Sequence, residues 1–171
     1  RFYTLVAVSD PQNPANPEDI DVAALLGQLA QSSVAFGTAN PANERLGADL
    51  QGALHKEGAD VLGDAGIVVL EQTPAHIPDL RDLAQDIAIG SDLDTVIVRT
   101  PHVAIGVSDT LTRAQIERGQ RAMVAQPDYA VGLDAFVAEA SEFGIAWGGV
   151  MGAFLAGVVA VVGASAAASR R

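Results

Sequence analysis

The chain has 171 residues, a net charge of −11 and no cysteine. This length predicts one domain that is large enough to bury a hydrophobic core. The lack of cysteine excludes thiol catalysis, thiolate metal sites and disulfide bonds. Residues 1–144 carry 8 basic and 21 acidic residues, a net charge of −13. Such a surface repels nucleic acid and anionic lipid headgroups, so neither is an expected ligand.

Residues 1–17 are expected to form an N-terminal segment and linker. "RFYTLVAV" has the composition of a short strand, and "SDPQNPANP" contains three prolines and two asparagines, which break regular structure. A helix is predicted to follow, with Asn16 as its N-cap and Pro17 in its first turn. Residues 18–143 are therefore predicted to be the folded domain.

Helices and strands then alternate along the chain. Apolar periodicity, glycines and prolines predict a second helix over about 42–57, a buried strand over 65–71, a helix over 77–90, two strands over 94–100 and 102–108, and helices over 109–125 and 126–143. The two strands are separated by so little chain that they predict a tight hairpin with Pro101 in its turn. This order predicts an α/β domain in which helices sandwich a small mixed sheet.

A long uncharged stretch follows the domain. Residues 145–168 contain no formal charge, and as a helix they would measure about 36 Å, enough to cross a hydrocarbon layer of about 30 Å. Trp147 stands at the start, where an indole favours the boundary between water and lipid. The alternative is an Ala/Gly-rich helix or tail, but a soluble helix needs a polar face, and none occurs before Ser165. We therefore expect one transmembrane helix here.

The charges that flank this stretch predict its orientation. Arg170 and Arg171 follow it, whereas no basic residue lies between Arg121 and residue 145. The positive-inside rule then places residues 169–171 in the cytoplasm and the large domain outside, on a single-pass plasma-membrane protein. Gly148 and Gly152 begin a ridge of small residues through which helices could form a homo-oligomer, although the frequency of alanine also explains such a ridge.

The sequence carries few catalytic signals. It has no G-x-S-x-G, H-E-x-x-H, phosphate-loop or G-x-G-x-x-G motif, and its three histidines are isolated. Acidic residues on one helix face and near strand ends could hold a hard cation, but at this acid content solvated surfaces are the more frequent outcome; these residues are Asp79, Asp82, Asp86, Asp92, Asp94 and Asp109. We predict no catalytic residue, no metal ligand and no cofactor.

Arginines are informative because basic residues are scarce. Each of Arg81, Arg99 and Arg113 is expected to form an ion pair, to hold a loop or to contact a partner, and ion pairing is the favoured interpretation.

The order of motifs from about residue 60 to 142 resembles the TPM domain family. The matching positions are Leu83–Ala84, Val96–Val98, Ile105–Gly106, Leu111–Thr112, Asp128–Tyr129 and Gly132–Leu133. The resemblance implies the TPM fold, and with it either weak phosphatase activity or a chaperone-like role at membrane complexes. The chain lacks an obvious nucleophile and a glycine-rich loop with paired acids, which argues against the phosphatase role.

The whole chain is similar to a mycobacterial and corynebacterial family of single-pass membrane proteins. The similarity lies in "IDV" at Ile20–Val22, "P.LRD.A" at Pro78–Ala84, and a domain followed by an anchor that begins near Trp147. It implies association with peptidoglycan hydrolases of the NlpC/P60 type and action in cell separation through binding of the hydrolase's coiled-coil region.

We therefore expect a membrane-anchored extracytoplasmic protein that regulates a cell-wall hydrolase and is not itself an enzyme. The alternative is a metal-dependent hydrolase of the phosphatase type. Candidate residues for partner contact lie on predicted loops and helix ends; they are Asp79, Arg81, Asp82, Thr100, His102, Asp109, Arg113 and Tyr129. Tyr129 has the alternative interpretation of a core aromatic residue.

Overall fold

The computed structural model describes residues 20–142, in which five α-helices surround four β-strands. In chain order these elements are α1 (Val22–Leu29), β1 (Val34–Phe36), α2 (Asn43–Leu54), a 3₁₀ turn (Ala59–Leu62), β2 (Ala65–Val69), α3 (Pro78–Gly90), β3 (Thr95–Arg99), β4 (Ala104–Ser108), α4 (Arg113–Val124) and α5 (Tyr129–Glu142).

The strands form one mixed sheet in the order β1-β2-β3-β4. The first three strands are parallel, and β4 returns antiparallel to β3 through a short hairpin. In the middle of the sheet Ile67 of β2 lies beside Ile97 of β3, which in turn lies beside Gly106 of β4. The predicted small mixed sheet between helices is confirmed.

Two apolar layers cover the two faces of the sheet. Ile67 and Ile97 face the layer that contains Met123 of α4 and Phe136 of α5. The alternate residues of β2 and β3 face a second layer built from α1 and α3; its buried members are Leu25, Leu29, Ala35, Val68, Leu70, Leu80, Leu83, Ala84, Ile87, Val96 and Val98. Since both faces are covered, β2 and β3 are apolar at nearly every position, as is typical of central parallel strands.

The short strand β1 was not predicted from the sequence, and side chains seal its outer edge. The side-chain amide of Gln28 accepts from the N–H of Phe36 at 2.9 Å and donates to the carbonyl of Phe36 at 3.1 Å. The hydroxyl of Ser32 donates to the carbonyl of Val34 at 2.9 Å and accepts from its N–H at 3.3 Å. These bonds occupy the backbone groups that a further strand would need.

The predicted start of the helix after β4 is wrong. Helix α4 begins at Arg113 with Thr112 as its N-cap, and Thr112 and Gln115 form a capping box. The predicted start at 109–110 fails because the N–H of Asp109 still bonds to the carbonyl of Asp94 and so extends the sheet. Helix α1 is capped by Asp21. The predicted cap, Asn16, and the predicted segment 1–17 lie outside the described residues, which begin at residue 20.

The predicted fold class needs a correction, because it included a C-terminal transmembrane helix. Residues 145–168 lie outside the described residues, and none of the helices within 20–142 is long and apolar enough to span a membrane. The longest of them, α5, has 14 residues and measures about 21 Å, short of the roughly 30 Å of a hydrocarbon layer. The fold that the structure supports is the mixed α/β domain alone.

Helices α4 and α5 approach each other closely through two glycines. A Cβ atom at Gly119 would lie 2.7 Å from the ring of Phe136, and one at Gly132 would lie 2.8 Å from the carbonyl oxygen of Met123. Both distances are shorter than a van der Waals contact, so this pair of helices requires glycine at both positions.

We expect Gly119→Ala to lower the free energy of unfolding by about 1–3 kcal/mol, because the buried ring of Phe136 must move. The matched control is Gly52→Ala in α2, where a Cβ meets nothing within 4 Å. That substitution should stabilise the domain by about 0.5–1 kcal/mol through helix propensity. Urea denaturation of both variants measures the difference, and equal effects would contradict this description of the α4–α5 contact.

Candidate functional site

The carboxyl ends of the parallel strands meet at one edge of the sheet, where open α/β sheets usually place their ligands. Four connections of the described domain gather there: the β1–α2 loop, the β2–α3 loop, the β3–β4 hairpin and the α4–α5 loop. Helices α3 and α5 both begin at this edge, each on its own face of the sheet.

Arg99, the last residue of β3, is the centre of this edge. Its side chain is buried, with 1% exposed. The guanidinium donates to the carbonyl oxygens of Thr100, of Val103 at 3.4 Å and of Gln126 at 3.5 Å. It also stacks on the ring of Tyr129, 4.6 Å from the ring centroid. Arg99 therefore ties the hairpin to the α4–α5 loop and to the start of α5.

No carboxylate within residues 20–142 pairs with this buried cation, and its Nε has no hydrogen-bond partner there. Burial lowers the pKa of Arg99, and the nearby Tyr129 partly offsets the effect. Burial likewise raises the pKa of Tyr129, and the charge of Arg99 acts in the opposite direction. Carbonyl dipoles and an aromatic face thus replace the ion pair that the sequence analysis favoured for Arg99.

Thr100 closes the hairpin. Its N–H donates to the carbonyl of Val103 at 2.8 Å, and its hydroxyl accepts from the N–H of Val103 at 3.1 Å. The same hydroxyl lies 2.8 Å from that of Thr73, which fastens the β2–α3 loop to the hairpin. Thr100 is fully buried, whereas the sequence indicated an exposed loop position; its role in partner contact stays a prediction.

Apolar and acidic side chains stand exposed around this edge. Ile77 at the start of α3 and Val131 in the first turn of α5 are 43% and 50% exposed. Asp79 is bonded to His76 at 2.6 Å, and Asp128 caps α5 by accepting from the N–H of Val131 at 2.9 Å. We call the set Ile77, Asp79, His102, Asp128 and Val131 the carboxyl-edge surface.

The predicted contact residues fall into separate places. Asp79, His102 and Tyr129 lie at the carboxyl edge, and Tyr129 is half-buried there under the α4–α5 loop. Arg81 and Arg113 line a groove at the outer edge of β4. Asp109 follows β4 at the opposite end of the sheet. The predicted set is therefore not one site.

The acidic positions considered for a cation do not converge. Within residues 20–142 no group of three or more His, Asp or Glu side chains is arranged to hold a metal ion. Asp94 accepts from the backbone N–H of Asp64 at 2.9 Å, which holds the start of β2 to the start of β3. Asp82 is simply exposed on α3.

The partners of Arg99 were not predictable from the sequence, because they are backbone carbonyls. A carbonyl has no signature in the residue letters, so Val103 and Gln126 could not be identified. The only available signal was one arginine that ends the apolar strand "TVIVR". The position of Glu117 among arginines from two helices was likewise not predicted from the sequence.

Comparison with known families identifies the class of protein to which this α/β domain belongs. The family described as membrane protein Rv1476 matches residues 15–171. Since the match covers nearly the whole chain, the chain belongs to this mycobacterial family of membrane proteins. No curated protein and no solved structure matches the chain.

The role of Arg99 can be tested by a conservative substitution. We expect Arg99→Lys to lower the free energy of unfolding by about 2 kcal/mol, because one ammonium group cannot reach carbonyls on both loops while it stacks on Tyr129. Arg45→Lys is the control, since the Arg45 side chain is 92% exposed and should change stability little. Thermal denaturation of both variants measures the effect; a small loss for Arg99→Lys would contradict the described contacts.

The raised pKa of Tyr129 gives a prediction for alkaline pH. In a Tyr3→Phe variant Tyr129 is the sole tyrosine, and absorbance of its phenolate should show ionisation above the usual pKa of about 10. A group whose pKa is raised by folding stabilises the fold below its unfolded pKa. This contribution should disappear as the pH rises through the folded pKa of Tyr129. An ordinary or lowered pKa would contradict the burial of the phenol.

Proposed function

We propose that this protein is a membrane-associated, extracytoplasmic binding protein that regulates a peptidoglycan hydrolase of the NlpC/P60 type in cell separation. It would do so by binding the coiled-coil region of the hydrolase. The observation that carries the proposal is the exposure of Ile77 and Val131 at the same edge of the sheet, at the starts of two helices.

Exposed apolar residues next to polar ones are a common basis for binding a helix. A partner helix contacts such a surface through apolar side chains spaced three and four residues apart. Ile77 and Val131 provide two apolar anchors from opposite faces of the sheet, and the hairpin with His102 lies between them in the fold. Arg99 and Thr100 fasten the β2–α3 loop, the hairpin and the α4–α5 loop to one another. This keeps the surface preorganised, which reduces the entropic cost of binding.

The charge of the surface favours a basic or amphipathic partner. Asp79 and Asp128 lie beside the two apolar anchors, and the whole chain has a net charge of −11. Long-range attraction then accelerates association with a basic helix and weakens as salt increases. Membership of a membrane-protein family supports a location at the membrane, where the concentration of both partners in a thin layer makes a modest affinity sufficient.

The outward orientation of the domain is part of this proposal. A hydrolase that cuts peptidoglycan works outside the cytoplasmic membrane, so the surface that binds it must face the same compartment. Cysteine substitutions at exposed positions, such as Ala114→Cys on α4, would react with a membrane-impermeant maleimide in intact cells. Labelling only after cell lysis would contradict the orientation.

The binding proposal is tested by replacing the two apolar anchors. We expect Ile77→Asp and Val131→Asp each to weaken binding of a purified hydrolase coiled-coil fragment by roughly tenfold, since each removes apolar contact worth about 1–2 kcal/mol. Both positions are at helix starts, where aspartate is compatible with the fold. Isothermal titration calorimetry measures the affinities.

Ile89→Asp is the matched control, because Ile89 is 77% exposed but lies at the far end of α3, away from the carboxyl edge. It should leave binding unchanged. Equal loss in all three variants, or no binding by the unsubstituted chain, would contradict the proposal. Metal-dependent hydrolysis of a chromogenic phosphate that survives these substitutions would instead favour the phosphatase alternative.

A further inference from the structure

Strand β4 forms the second edge of the sheet, and within residues 20–142 no strand pairs with its outer side. The hydrogen bonds from Thr100 to Val103 and from Asp109 to Asp94 fix the register of the hairpin. In an antiparallel pair the bonded residues alternate, so Val103, Ile105, Val107 and Asp109 direct their backbone groups towards β3. Ala104, Gly106 and Ser108 therefore direct their N–H and C=O groups outward.

These outward groups differ from those of the other edge strand. On β1 the side chains of Gln28 and Ser32 occupy the outward backbone groups. On β4 no hydrogen bond among the described residues reaches the outward backbone groups of Ala104, Gly106 or Ser108. Ala104 and Gly106 are nevertheless buried, and a buried backbone group without a hydrogen-bond partner destabilises the fold. An added strand would satisfy these groups.

A groove of about 270 Å³ runs along this edge, between α3 and α4. Its floor contains Gly106 and Ser108, and its apolar part includes Ile105, Leu111 and Ile116. We define the β4 groove as the space lined by Arg81, Ile105, Gly106, Val107, Ser108, Leu111, Arg113, Ile116, Glu117 and Gln120.

Positive charge gathers at the β4 groove, although the chain as a whole is strongly acidic. The pKa of Glu117 is lowered, first by the hydrogen bond from Arg113 and then by the charges of Arg113, Arg121 and Arg81. Arg113 is paired with Glu117 at 2.7 Å. Arg81 and Arg121 form no ion pair with any residue in the part of the chain that the structure describes, so their charge is not neutralised there.

We infer that the β4 groove binds an extended acidic peptide segment, which pairs with the outer edge of β4 and places its carboxylates against Arg81, Arg113 and Arg121. The backbone of the peptide supplies partners for the outward groups of Gly106 and Ser108. Alternate side chains of the peptide point to the two walls of the groove. A second copy of this chain fits less well, because pairing β4 with β4 would bring the arginines of both copies together. This site is separate from the carboxyl-edge surface and from the helix binding proposed above.

The probe is a capped peptide of about eight residues that alternates glutamate and valine, added to the isotope-labelled 171-residue chain. Nuclear magnetic resonance should show changes at the backbone amides of Ala104, Gly106 and Ser108, and slower hydrogen exchange at those amides. The same peptide with lysine in place of each glutamate should not bind. Affinity for the acidic peptide should fall as salt is raised.

Substitutions assign the effect to the groove. Arg81→Gln and Arg121→Gln should each weaken binding by about two- to fivefold, as expected for the loss of one partly screened charge contact. Glu117→Gln should strengthen it by a similar factor, because Glu117 is the one carboxylate that the described part of the chain places in the groove lining. Arg45→Gln, on α2, is the control and should leave affinity unchanged.

Three results would overturn the inference. In the first, the peptide changes only amides outside β4. In the second, Arg81→Gln does not weaken peptide binding or Glu117→Gln does not strengthen it. The third is a set of changes at Ala104, Gly106 and Ser108 that depends on protein concentration without peptide, which would show that a second copy covers the edge. None of these results bears on Ile77 and Val131, so the two proposals fail independently.

Discussion

Both faces of β2 and β3 are buried, and the rest of the domain follows from that constraint. A sheet of four strands is narrow, so its apolar residues must be covered by helices on both sides. Helices α1 and α3 cover one face, and α2, α4 and α5 cover the other. The three parallel strands all end at the carboxyl edge and α4 returns the chain to it, so four connections of the described domain meet there. The same constraint buries Arg99 at the end of β3, where it must find polar partners without water.

Arg99 shows how such a partner set forms without a counter-ion from residues 20–142. Carbonyl oxygens from the hairpin and from the α4–α5 loop, together with the ring of Tyr129, surround the guanidinium. This arrangement also explains the motif at Asp128–Tyr129 and Gly132–Leu133, on which the resemblance to TPM domains partly depends. Asp128 caps α5, Tyr129 stacks on Arg99, Gly132 allows close helix packing, and Leu133 is buried in the core. Each of these residues has a role in folding, so the motif by itself does not indicate a catalytic site.

The two edge strands, β1 and β4, differ in whether side chains bond to their outward backbone groups. This difference leaves one of the two proposed surfaces at β4 and none at β1. Side chains of Gln28 and Ser32 close the edge at β1, as proteins commonly do to prevent unwanted strand pairing. The edge at β4 has no such cover among the described residues, and arginines flank it. The carboxyl-edge surface, in contrast, is apolar and acidic. Under the two proposals, a helix would bind at the carboxyl-edge surface and an extended acidic segment at the β4 groove.

The sequence by itself determined the order of the larger elements, because their apolar periodicity and their breakers are local properties. The strands at 65–69, 95–99 and 104–108 and the helix at 78–90 were predicted within one or two residues. It also determined membership of a membrane-protein family over residues 15–171. Strand β1 has only three residues, too few to leave a periodic pattern. The N-cap of α4, Thr112, could not be identified from the sequence, because several neighbouring residues also have hydroxyl side chains that suit a cap.

Only the tertiary structure decided which of the scarce basic residues are buried, paired or unpaired. Arg81, Arg99 and Arg113 look equivalent in the sequence. In the structure Arg99 is buried against backbone carbonyls, Arg113 is paired with Glu117, and Arg81 lines the β4 groove. Their surroundings come from residues tens of positions away, and many of the contacting groups are backbone atoms that every residue shares. For this reason the predicted contact residues were divided among separate surfaces, and the exposed Ile77 and Val131 became evident only once the helix starts were placed at one edge of the sheet.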